Sequence, residues 1–470
     1  MKLQLAKGYI TVLLGCMISL AIGRLALAWT TPVNISNTSG VSIFGSLVED
    51  NLGNIHVVWQ DNTYGNNEIL YCFYNGIDWS SPYNISNDLT DSERTDITRD
   101  AFGQLHVVWQ DYQLGEILWV CHNGLEWSSP VNISNSPGHS NCPCITADDS
   151  GNVFVVWYDI EGQSDIYFAV FDGTSWSMAQ NLTDDPVDSA YPDIAVDSKG
   201  HVHLVWMDYA DIDIYYSEYD GNSWTEPIDI SPLPGWSCDP RIALDSQDNP
   251  HVIWEERKDG YHVYYAYYDG QAWSSPYEIA DGHYPAIICG PNDNAHVVWG
   301  NDYIIYHSFG TDTSWSAPED VSQSPEARCL CPEIQKIAGG NVHVIWDYWD
   351  EQFHSDIFHS HNGMTGIVQN EKRPSLKDFA LEQNYPNPFN ASSIITFHIS
   401  ETKLNRTVMK IFNVLGEEVA TLVDQAQASG FYQVSWNGQD KFGNDVASGI
   451  YFCQLQVGDY RKVKKLLLIR

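Results

Sequence analysis

Positive charge is scarce in this chain. Of 470 residues only 23 are Lys or Arg, against 61 Asp or Glu, for a formal net charge of −38. The deficit is local: residues 29–370 carry eight cations and 51 acids, whereas residues 371–470 carry 12 and 10. So acidic a stretch repels phosphate backbones and anionic lipid, which excludes nucleic acid and membrane surfaces as partners and suits solubility outside the cell. Long apolar runs are also missing. Past Ile22 no segment could span a bilayer, so no transmembrane anchor is expected once the N-terminus is removed. The one apolar run, 10–22, follows Lys2 and Lys7 and precedes Ala26-Leu27-Ala28. That is the layout of a Sec signal peptide over 1–28, and it implies a secreted or outer-surface protein.

Cysteine is sparse rather than absent. Ten are present, and removing Cys16 with the signal leaves nine, so at least one is unpaired unless chains cross-link. Export favours disulfides, but spacing does not give the pairing. Cys142 and Cys144, like Cys329 and Cys331, are one residue apart, closer than the C-x₂₋₄-C of structural zinc sites. Cys72 and Cys121 read as small buried hydrophobes.

What the chain does have is tryptophan at a fixed period. IHVVWQD (55–61), LHVVWQD (105–111), VFVVWYD (153–159) and VHLVWMD (202–208) are followed by Trp254, Trp299 and Trp346, at intervals of 45 to 50 residues. A second series, in W-S-x-P or a variant, falls at 29, 79, 127, 176, 224, 273 and 315. Each unit reads as four strands. A P-x-I-A strand is joined by D-x-x-G to an H-V-x-W strand, then come an I-Y-Y strand, an Asn-Gly or Asp-Gly turn (75, 123, 172, 220, 269, 362) and the W-S-x-P edge strand. The seventh unit stops at FHSHNG (358–363) without its fourth strand, while WTTPVNIS stands alone at 29–36. A linear stack gives that split no role, and a ring does. The expected fold class is therefore all-β: a seven-bladed β-propeller over 29–363 closed by its N-terminal strand.

Strand order puts the short uniform turns on one face and the variable loops on the other, where binding groups are placed. The acids there, such as Asp61, Glu68, Asp111, Glu116, Asp159, Asp165, Asp208 and Asp213, recur in most blades, which favours capping of hairpin backbone over a calcium site. Histidine precedes the first-series tryptophan at 56, 106, 203, 251, 296 and 343. So regular a set reads as hydrogen-bonded structure, and neither a metal site nor a cofactor is expected. Non-repeating residues are the better functional candidates: Arg94, Arg241 and Arg328 near the starts of innermost strands, with Tyr191, Trp236 and Tyr284 at the same rim. Aromatic rings stack on apolar sugar faces and guanidinium pairs with carboxylate, so these six residues suit glycan or peptide.

After a linker over 364–380, residues 381–470 alternate as short strands: VMKIFNV (408–414), EEVATLV (417–423), YQVSWNG (432–438), GIYFCQLQV (449–457) and KVKKLLLI (462–469). They suit a small immunoglobulin-like β-sandwich. NYPNPFN, KIFNVLGEEVATL, GNDVASGIY and the basic end RKVKKLLLIR together resemble the type IX secretion C-terminal sorting domain. The resemblance implies export by that machinery, with the domain read as an address. The repeats resemble, less specifically, sialidase-like BNR-repeat propellers. However, D-x-x-G-x-x-H departs from that family's S-x-D-x-G-x-T-W box, so no catalytic residue is carried over. The expected function is a non-catalytic module binding extracellular glycan or protein. The alternative is a sialidase-like glycoside hydrolase or lyase acting on extracellular polysaccharide.

Overall fold

The computed structural model describes residues 28–363 and 380–469, apart from short stretches of which the longest are 382–392 and 400–404. The expected signal peptide, up to residue 27, and nearly all of the expected linker lie outside the described residues.

All regular structure described is strand. Between residues 28 and 363 it forms seven antiparallel sheets in sequence order. Their inner strands are Ser42–Glu49, Ser92–Arg99, His139–Ala147, Ser189–Val196, Ser237–Leu244, His283–Cys289 and Arg328–Lys336. Each inner strand packs against the next, and Arg328–Lys336 packs against Ser42–Glu49. The last sheet contains the N-terminal segment: Trp29 pairs with Asn362 and Val33 with His359. Asn362 and Gly363, expected as a turn, therefore continue the strand Ser355–Gly363, because the segment that a turn would lead into comes from the other end of the chain.

The remaining Gly turns are present in a longer form. Tyr74 bridges Trp79 across four residues, and the Asn75 side chain accepts from the Ile77 and Asp78 amides. Gly76 holds φ +88°, which a side chain rarely adopts. In the D-x-x-G turns Gly53 lies at +81° and its replacement Asp248 at +67°.

The period-2 pattern buries the first-series tryptophans between neighbouring sheets, each at most 3% exposed. The second series plugs the seams edge-on. Trp127 meets Tyr71 at 5.1 Å, Trp176 meets Trp119 at 5.4 Å, and Trp273 meets Tyr216 at 4.9 Å. The repeated histidines serve structure as expected: His56, His203 and His251 each bring Nδ1 to a tyrosine hydroxyl of the adjacent strand at 2.6–2.7 Å. The repeated acids cap as expected too. The Thr63, Leu114 and Ala210 amides donate to Asp61, Asp111 and Asp208 at 2.8 Å, while Glu68 and Asp159 accept from the Ser86 and Ser140 hydroxyls.

The C-terminal part packs a three-stranded sheet, containing Ser393–Ile399 and Gly430–Trp436, over a four-stranded one, containing Asn405–Asn413 and Gly449–Val457. Their shared core includes Phe397, Met409, Ile411, Trp436, Cys453 and Leu455.

Candidate functional site: a two-tiered channel

Every inner strand carries the same irregularity. The pairing register shifts at Ile43/Ser46, Glu93/Asp96, Asn141/Cys144, Ala190/Asp193, Cys238/Arg241, His283/Ala286 and Leu330/Glu333. Within each bulge one residue takes φ between +46° and +54°: Phe44, Arg94, Cys142, Tyr191, Asp239, Tyr284 and Cys331. In five of the seven bulges the next residue is proline (143, 192, 240, 285, 332), so the bulge has no need of that amide. A bulge re-aims side chains, and here it turns seven of them toward the central channel.

These residues make a rim. Two positions further on a second tier lines the interior: Ser46, Asp96, Cys144, Asp193, Arg241, Ala286 and Glu333. A cavity of ≈ 180 Å³ lies at the rim and one of ≈ 410 Å³ below it.

The lower tier is a chain of polar contacts that runs from the first sheet to the seventh. Ser46 Oγ donates to Asp96 Oδ1 at 2.6 Å, and the Ile145 amide of the next sheet donates to Asp96 Oδ2 at 2.9 Å. Cys144 Sγ donates to the Pro192 carbonyl at 3.1 Å, and the Ile242 amide donates to Asp193 Oδ2 at 2.9 Å. Arg241 then donates to Glu333 Oε1 at 2.8 Å, passing the sheet whose residue at this tier is the small Ala286. Burial raises the Glu333 carboxyl to about 7 and Asp193 to about 6 against the pull of Arg241, and it raises Asp96 as well.

The rim differs in character. Arg94 is exposed and its guanidinium lies 3.8 Å over the Phe44 ring. Arg241, Arg257 and Arg406 make ion pairs, whereas Arg94 makes none among the described residues. Tyr191 and Tyr284 face the same cavity, 38% and 42% exposed. Asp239 joins them, its carboxyl raised by burial and by the neighbouring Glu255.

Of the six sequence candidates, the structure brings Arg94, Tyr191, Arg241 and Tyr284 to this cavity. Arg241 sits one tier down, committed to Glu333. Arg328 and Trp236 are not among the lining residues. Arg328 lies between the rings of Tyr303 and Phe353 at 5.2 and 5.6 Å, and Trp236 lies 5.8 Å from the Arg257 guanidinium. Arg328 opens its strand and Trp236 lies one residue before its own, both ahead of the bulge, so they miss its redirection. Sequence reasoning overlooked Phe44 and Asp239, and it weighed Cys142 and Cys331 only as zinc ligands or disulfide partners. The repeated x-Pro pair in the inner strand was the signal that could have found most of them. None of the nine described cysteines forms a disulfide, although export favours them, and burial raises the Cys142 and Cys331 thiols.

No curated relative matches the chain. Among solved structures it is similar to a protein of unknown function from Dyadobacter fermentans, at 10% identity and TM-score 0.50 over 71% of this chain and 98% of that one. An ulvan lyase of a polysaccharide lyase family, bound to a sugar, matches at 10% identity and TM-score 0.50 over 70% and 95%. A fungal alcohol oxidase in complex with copper matches at 13% identity and TM-score 0.52 over 94% and 99%. Identities this low show the fold alone, a β-propeller. At the other end of the chain, residues 390–459 match the FlgD Ig-like domain family.

Proposed function

We propose that this is an exported, seven-bladed propeller, closed by its N-terminal strand, which binds extracellular glycan at the channel mouth without transforming it. One observation carries the reading. Arg94 presents an exposed guanidinium with no ion pair, in a domain where acids far outnumber cations, beside two exposed tyrosine rings in one cavity. A lone cation in so acidic a setting would ordinarily be neutralised by a neighbour. Held 3.8 Å over the Phe44 ring, it is preorganised to donate to sugar hydroxyls or to a carboxylate, while Tyr191 and Tyr284 cover apolar ring faces.

The carboxylates argue for binding over catalysis. Glycoside hydrolysis uses two opposed, available carboxyl groups. Here Asp96 and Asp193 are engaged in holding adjacent sheets together, and Glu333 in pairing with Arg241 two sheets away. Export rests on the charge, the N-terminal pattern and the type IX-like motifs of the C-terminal segment. The test is a glycan array on the purified chain, repeated with Arg94→Ala and Tyr284→Ala. Binding lost or weakened at least about tenfold in both variants supports the reading, on the scale of one charge-assisted hydrogen bond or one stacked ring. Binding unchanged in both removes the channel mouth as the site.

A second reading has one observation in its favour. Asp239, on the rim, is held toward its protonated form, as a general acid requires. Release of reducing or unsaturated ends from a bound polysaccharide, abolished by Asp239→Asn, would establish it in place of simple binding.

A further inference from the structure

The seventh sheet departs from the repeat at one place. In the other sheets the third position before the first-series tryptophan is His or Phe, and its neighbours on the adjacent strand are Tyr71 and Phe73, Trp119 and Cys121, Phe168 and Val170, Tyr216 and Glu218, Tyr265 and Tyr267, or His307 and Phe309. In the seventh sheet all three positions are histidine: His343, His359 and His361. His343 lies opposite His361 in register, and His359 is two residues from His361, so the three rings share one face. Their ligating nitrogens all fall within 4.8 Å of one another.

The carboxylate that the first five units place six residues earlier is missing as well, as it is in the sixth, where Gly290 holds that place. His56 and His106 bring Nε2 to Asp50 and Asp100 at 3.2 and 3.3 Å, whereas the residue six before His343 is Ile337. Histidine thus stands at 359, where five of the other sheets have Tyr, Trp or Phe, and at 361, where none of the others has it. Packing gives no reason for this, since Tyr and Phe fill the same places elsewhere.

We propose that His343, His359 and His361 bind one late first-row divalent transition ion, zinc above all. Three neutral imidazoles with no carboxylate suit zinc, copper or nickel and disfavour calcium and magnesium. An ion held tetrahedrally at 2.0–2.1 Å needs nitrogens about 3.3 Å apart. His343 Nδ1 and His359 Nε2 share a hydrogen bond at 2.8 Å, so an opening of roughly half an ångström admits the ion on that side. The proton of that bond moves to the far nitrogen of its own ring, so entry requires no net deprotonation. His343 and His359 are buried and His361 is partly exposed, which leaves an approach from solvent.

The place matters for the fold. The His361 amide donates to Thr30 Oγ1 at 3.1 Å, and the Thr30 amide donates to the His361 carbonyl at 2.9 Å. Across the seam, Trp79 of the first sheet lies edge-on to His359 at 4.9 Å. The ion would therefore sit where the two ends of the ring meet and would stabilise their junction.

The repeat supplies its own control. The double substitution His359→Tyr with His361→Phe rebuilds the His56, Tyr71 and Phe73 arrangement of the first sheet. The experiment titrates the metal-stripped full chain with Co²⁺ and with Zn²⁺. Wild type is expected to take one equivalent, to give a visible Co²⁺ spectrum without thiolate charge transfer, and to rise in Tm with Zn²⁺. The double variant is expected to keep its fold and lose affinity by about 100-fold or more. Failure of wild type to bind overturns the proposal, as does binding that survives the double substitution. Should the variant not fold, paramagnetically shifted ring protons in wild-type Co²⁺ protein decide the matter: three imidazoles support the site, and fewer overturn it.

Discussion

Trp29 lies edge-on against His307, with ring centres 5.1 Å apart and planes at 71°, and its Nε1 donates to Glu319 Oε2 at 3.2 Å. It thereby repeats, from the opposite end of the chain, what Trp79, Trp127, Trp176, Trp224, Trp273 and Trp315 do within it. Only a strand occupying the fourth place of the seventh sheet puts Trp29 there. Trp29→Ala is expected to destabilise the propeller by about 2–4 kcal/mol in urea unfolding, the lower end reflecting its partial exposure. A loss similar to that of an exposed residue such as Met178 would separate the N-terminal segment from the stability of the ring.

The arginines divide by tier. Arg94 faces the mouth, Arg328 packs between Tyr303 and Phe353, and Trp236 lies near Arg257. Arg328→Ala and Trp236→Ala should therefore leave glycan affinity within about twofold of wild type, while Arg94→Ala lowers it, as expected for groups outside and inside a contact surface. Titration calorimetry against whichever glycan the array identifies measures both. An Arg328 effect equal to that of Arg94 would mean that the ligand extends well beyond the mouth.

These placements show what the chain made legible and what it did not. Two tryptophan series, the D-x-x-G turns and the stranded half-repeat are periodic, and periodicity survives projection onto a line. The depth of a side chain does not. Arg94 and Arg241 look alike in sequence, but Arg94 sits at the positive-φ residue of its bulge and Arg241 two positions past that residue. That offset lowers Arg241 by one tier and gives it to Glu333. Asn362-Gly363 was misread for a related reason. The dipeptide matches five true turns, and only the pairing with Trp29 distinguishes it.

The lower tier should respond to pH with a definite sign. The folded Glu333 carboxyl is raised to about 7 from an ordinary value near 4.5, and Asp193 to about 6 from 3.8. The folded state therefore binds more protons than the unfolded one between those limits, so these groups weaken stability above about pH 7 and cease to do so as pH falls toward 4.5. Arg241 offsets that cost. Its side chain is 40% accessible to the channel, so water screens the pair, and Arg241→Gln should cost only about 1–2 kcal/mol at pH 8. The cost should shrink at pH 5, where the two carboxyls are largely protonated. A penalty independent of pH would show that Arg241 acts through packing alone.

The bulge itself makes the last prediction. Pro143, Pro192, Pro240, Pro285 and Pro332 each follow the positive-φ residue, whereas Thr95 follows Arg94 and donates its hydroxyl to the Val108 carbonyl at 3.0 Å. If the seven bulges share one backbone, the Thr95 amide is dispensable and its φ is already close to that of proline. Thr95→Pro then loses one side-chain hydrogen bond and gains from a stiffer unfolded chain, two effects of about 1 kcal/mol and opposite sign. The expected change in stability is therefore within about 1 kcal/mol, with Arg94 still facing the mouth and glycan affinity retained. Proline forced into an incompatible strand would cost about 3 kcal/mol or more, so a loss of that size would show that the second bulge is built differently from the rest.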